Sequence, residues 1–65
     1  MRKLKLKSGD EISIRLDEKK KNVVLGIKTS LPDKTTVMVT VPMTPDDLNK
    51  MISELVTTKS ELVIL

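Results

Sequence analysis

Apolar and polar residues alternate from the start of the chain. Leu4 and Leu6 alternate with Lys3, Lys5 and Lys7, which predicts a strand with one apolar and one basic face. Ser8-Gly9-Asp10 supplies turn chemistry, with Gly9 free to take positive φ. Ile12, Ile14 and Leu16 then point one way, and Glu11, Ser13, Arg15 and Asp17 the other. Two such runs around a short turn predict a β-hairpin.

The segment 17–22 has no apolar residue and reads as a polar connection. Val23, Leu25 and Ile27 share one face of a third strand, with Gly26 on the opposite face at a bulge or a close backbone approach. Leu31-Pro32-Asp33-Lys34 fits a turn with Pro at its second position. A fourth strand follows from Thr35 to Val41, with Val37, Val39 and Val41 opposite Thr36, Met38 and Thr40. Pro42 lacks an N–H and ends it.

Thr44, Pro45 and Asp47 then spell a helix start: an N-cap, a first-turn proline and a capping acid three residues on. Leu48, Met51, Ile52, Leu55 and Val56 form one apolar stripe. The spacing predicts a helix over about residues 45–58. Leu62-Val63-Ile64-Leu65 is continuously apolar and reads as a fifth strand, buried in the sheet or paired with a second chain. The fold expected is α+β in the order β-β-β-β-α-β: one domain over residues 1–65, an antiparallel sheet, and the helix packed on its apolar face.

Composition turns this outline toward assembly. The chain has 65 residues and no Cys, His, Phe, Tyr or Trp. Aromatic side chains bury roughly 150–250 Å² each, so the core available here is thin. Burial barely offsets chain entropy at this length. With no disulfide framework possible, a homodimer or higher oligomer is the expected way to bury more surface, with Met38 and Leu62, Val63, Ile64 and Leu65 at the interface.

Candidate chemistry is sparse. Without His or Cys, the commonest general base and the usual zinc ligands are missing. Serines occur with nothing to mark a Ser–Lys pair, and two glycines cannot build a phosphate-cradling loop. Asp46 and Asp47 are explained by helix capping. No catalytic residue, metal site or cofactor is therefore expected, and the chain is read as a binding protein rather than an enzyme.

Charge supplies an alternative. The net charge of +3 divides unevenly: residues 1–30 carry nine Lys/Arg against four Asp/Glu, and the remainder is acidic. Lys3, Lys5, Lys7, Arg15, Lys19, Lys20, Lys21 and Lys28 could contact nucleic-acid phosphates. Against this, there is no ring on which a base could stack. A small anionic ligand at a subunit interface is a further alternative. No apolar run approaches the ~20 residues that span a bilayer, and Lys5 and Lys7 interrupt any leader-like stretch behind Met1-Arg2-Lys3. A cytoplasmic protein without membrane contact is expected.

In size and composition the chain resembles the carbon-storage-regulator RNA-binding dimers. Its first strand nevertheless reads Leu4-Lys5-Leu6-Lys7, and an acidic helix start stands where that family has a basic segment. No residue role is carried over. The reading that combines these features is a non-catalytic homo-oligomeric binding module, an inhibitor or adaptor acting on a larger protein.

Overall fold

The Ser8-Gly9-Asp10 turn reverses the chain as its residues require. Gly9 takes a φ of 94°, and the Gly9 amide donates to the Leu6 carbonyl at 3.0 Å. Leu6 N–H in turn donates to Asp10 C=O at 2.8 Å. The computed structural model describes residues 1–64. Its elements are β1 (Arg2–Lys5), β2 (Glu11–Asp17), β3 (Asn22–Ser30), β4 (Thr36–Met43) and α1 (Pro45–Ile64). The strands form one antiparallel sheet in the order β1-β2-β3-β4, so the chain is α+β with the meander that the alternation predicts.

The other two turns place a lysine in the left-handed region: Lys21 at φ 54° and Lys34 at φ 69°. Asp17 Oδ1 accepts the Lys20 amide at 3.3 Å in the first. In the second, Lys34 N–H donates to Leu31 C=O at 2.9 Å, and Asp33 Oδ1 accepts the Thr35 amide at 2.9 Å. Such local side-chain bonds from Asp stabilise tight reversals.

Register assigns the two faces. Leu4 pairs with Ile12, which pairs with Ile27, which pairs with Val39. The next row of that face holds Arg2, Ile14, Leu25 and Val41, and the last holds Leu16, Val23 and Met43. The opposite face carries Lys3, Lys5, Glu11, Ser13, Arg15, Gly26, Lys28, Met38 and Thr40. Gly26 stays in register with both Ser13 and Thr40, so it marks a close approach and not a bulge. A Cβ there would collide with Ser13 Oγ.

The helix begins as its sequence specifies. Asp47 N–H donates to Thr44 Oγ1 at 3.2 Å, and Thr44 N–H donates back to the Asp47 carboxylate at 3.3 Å. This is the reciprocal capping box. Its far end differs from expectation. The segment expected as a fifth strand is helical through Ile64, and α1 runs for 20 residues; Leu65 lies outside the described residues. No Gly or Pro interrupts residues 57–64. Leu62 and Val63 lie seven residues after Leu55 and Val56, so they prolong the same stripe. Ser60 donates its hydroxyl to the Val56 carbonyl at 3.0 Å and so adapts to the helix.

The helix also does not cover the sheet as expected. Only Leu48 and Met51, in its first two turns, are half-buried, and the rest of the stripe is exposed, Leu55 by 60%. The apolar sheet face is open too: Leu16 is 63% and Val39 55% exposed. Among the described residues no hydrophobic side chain is buried. Overall dimensions of 41 × 37 × 15 Å describe a single layer. The radius of gyration of 14.1 Å exceeds the ~11 Å of a compact 65-residue domain.

Candidate functional site

The basic residues singled out by sequence do not form one field. Lys3, Lys5, Arg15 and Lys28 do share the polar face of the sheet. Glu11, however, stands directly between Lys5 and Lys28. Its Oε1 also lies 3.8 Å from Lys3 Nζ. An exposed pair of this kind adds little stability, but it does cancel part of the local positive charge. Arg15 sits two rows away, between Val24 of β3 and the β1 side of the sheet. Lys19, Lys20 and Lys21 occupy the β2–β3 turn, at the opposite end of the sheet from Lys5 and Lys28, whereas Lys7 lies in the β1–β2 turn. The structure therefore splits these residues between two ends.

One arginine falls outside the expected set. Arg2 lies on the apolar face, opposite Ile14, and with Met1, Arg15, Leu16 and Val23 it lines a shallow depression of about 180 Å³. Its parity with Leu4 and Leu6 is the signal that would have placed it there. The depression sits where β2 runs on past the start of the shorter β1.

Titration is perturbed at two acids. Thr29 Oγ1 donates to Asp10 Oδ1 at 2.6 Å, and Ser8 Oγ donates to Asp10 Oδ2 at 2.9 Å. These bonds, that from Thr29 foremost, hold the Asp10 carboxyl below the usual carboxylate range. Asp33 is lowered in the same way by the side chain and then the backbone of Thr35. Both bonds serve turns. Among the described residues, no cluster of three acids could hold a metal ion. None of the described helices is long and apolar enough to cross a membrane.

The broadest uncommitted surface is apolar. One side of the sheet offers Leu4, Leu16, Ile27, Val37, Val39 and Val41, all exposed. The stripe of α1 offers Ile52, Leu55, Val56, Leu62 and Val63. The residues expected at an interface are exposed as well. Met38 lies on the polar face of β4, and Leu62, Val63 and Ile64 lie in the last turns of α1. Chemically this arrangement can associate. No family model, no curated protein and no solved structure matches this chain.

Proposed function

We propose that the chain is a non-catalytic, self-assembling binding module whose hydrophobic core forms between copies. The observation that carries this reading is the single 15 Å layer in which no described hydrophobic side chain is buried. Stable domains pack at least two layers around one core. Further copies supply the missing layer, since each brings the same sheet face and the same helix stripe.

Area supports the same reading. The chain exposes 5915 Å², whereas a compact monomer of 7.3 kDa exposes about 4,200 Å². The surplus of roughly 1,700 Å² is about twice what one partner contributes to a standard interface. It falls in the range of obligate homodimers. The polar face is then left outward, where a larger protein can meet it, and a cytoplasmic setting agrees with the lack of Cys. Nucleic acid is the weaker reading, because Glu11 sits among Lys3, Lys5 and Lys28 and the remaining lysines lie at the other end.

The test is mass by light scattering over a dilution series, with the ultraviolet spectrum of the natively purified protein recorded alongside. An oligomeric mass and a thermal midpoint that rises with concentration are expected. A folded monomer at every concentration overturns the reading. The chain lacks aromatic residues, so an absorbance band of nucleobase type would favour the nucleic-acid reading instead.

A further inference from the structure

We propose that the copies join along the free edge of β4, which pairs antiparallel with β4 of a second copy about a twofold axis at Met38. The inference rests on the self-assembly reading above and names its seam. It follows from which backbone groups the ladder leaves unpaired. Leu31 N–H donates to Thr35 C=O at the β3–β4 turn. Hydrogen-bonded and non-hydrogen-bonded pairs alternate from there. Thr36, Met38, Thr40 and Pro42, opposite Ser30, Lys28, Gly26 and Val24, therefore turn their backbone groups outward.

The two free edges of the sheet differ in chemistry. The same alternation, begun at the Leu6–Asp10 bond, turns Lys3 and Lys5 outward on β1. Edge lysines oppose pairing with another strand. The β4 edge has no such guard: residues 35–44 contain no charged side chain, and β-branched residues dominate β4. Long uncharged edges of this kind are templates for another strand.

Register follows from the donors. With Met38 opposite Met38 of the second copy, Thr36 faces Thr40 and Thr40 faces Thr36. All three outward N–H groups of each copy then find a carbonyl. Pro42 has no N–H to offer, and it falls opposite Lys34 in the β3–β4 turn, where the ladder ends. The cross-strand neighbours are Thr–Thr and Met–Met pairs without charge repulsion. The apolar faces of the two sheets become one surface, with Val37, Val39 and Val41 of both copies side by side, and this joined face is what another such pair covers.

Cross-linking tests this directly, because the chain has no cysteine. In Met38→Cys, the two introduced thiols would stand about 5.5 Å apart at Cα, within disulfide reach. Mild oxidation of the full-length protein is expected to give a covalent dimer, while Lys3→Cys on the β1 edge gives none. Met38→Pro, which removes the central outward donor, is expected to lower the self-association constant at least tenfold. An oligomeric parent protein that cross-links through Lys3→Cys and not Met38→Cys overturns the seam and leaves self-assembly standing. A parent protein that is monomeric throughout overturns self-assembly, and the seam with it.

Discussion

Thr29 donates its hydroxyl to the Asp10 carboxylate at 2.6 Å and so ties β3 to the turn between β1 and β2. The bond is stronger to an ionised acceptor, and it holds the Asp10 carboxyl below its ordinary 3.8. A carboxyl lowered on folding contributes stability that is present above 3.8 and lost as pH falls through its folded-state value. Urea midpoints should therefore drop as pH falls below about 4. Thr29→Val should shrink that drop, and an unchanged acid limb would show that the bond does not matter to stability.

Gly26 and Ser13 should be coupled. A methyl group at position 26 would meet Ser13 Oγ, with Met38 Cε and Thr40 Cγ2 close behind at 3.5 and 3.6 Å. Gly26→Ala is expected to cost about 1–3 kcal/mol, as overpacking commonly does. In a Ser13→Ala background the cost should fall by at least half. Chemical denaturation followed by far-ultraviolet circular dichroism measures the cycle, and strict additivity would contradict the contact.

The helix cap should be worth its usual amount. Thr44→Ala removes the acceptor of the Asp47 amide and is expected to cost about 0.5–2 kcal/mol. Thr44→Ser, which keeps the oxygen, should cost much less.

Lys34 occupies a conformation that L-residues avoid, at φ 69°. A left-handed backbone costs a residue with a Cβ about 1–2 kcal/mol, and glycine escapes that cost. Lys34→Gly should raise stability by about 0.5–1 kcal/mol, after glycine's larger loss of chain freedom on folding. A lower midpoint would mean that the lysine is held by something beyond its turn.

Leu55 separates folding within a chain from assembly between chains. It is 60% exposed in the single chain, so Leu55→Ala should cost little in a protomer alone. In the assembled protein it should cost about 2–5 kcal/mol, the usual range for a buried leucine, and it should lower the self-association constant in sedimentation. Equal stability at every concentration would place Leu55 outside the interface.

Most of the local grammar of the chain was readable, although Pro42, expected to end β4, lies within it opposite Val24, where its missing N–H would have faced outward. Gly9, Pro32, Thr44 and Asp47 each mark a turn or cap that exists, and period-two alternation places Leu4, Ile12, Ile27 and Val39 on one face. What failed was inference about burial. Leu62-Val63-Ile64 resembles a buried strand, because a short apolar run carries no periodicity of its own. Only its continuity with Leu55 and Val56 reveals the helix. Likewise, a lysine-rich sequence says nothing about where each charge lies. Cross-strand register, which is a long-range property, sets Glu11 between Lys5 and Lys28 and sends Lys19–Lys21 to the far end.

The lysines at the β1 edge have one more consequence. A sheet with two receptive edges adds copies without limit and becomes a fibre. Here the chain offers one receptive edge and one defended edge. Joining at β4 leaves β1 as the outer strand on both sides, with Lys3 and Lys5 facing out at each end. Growth along the sheet stops after a single addition, so the same short strand that contributes least to the sheet limits its width, and the joined apolar face is left to stack on that of another pair.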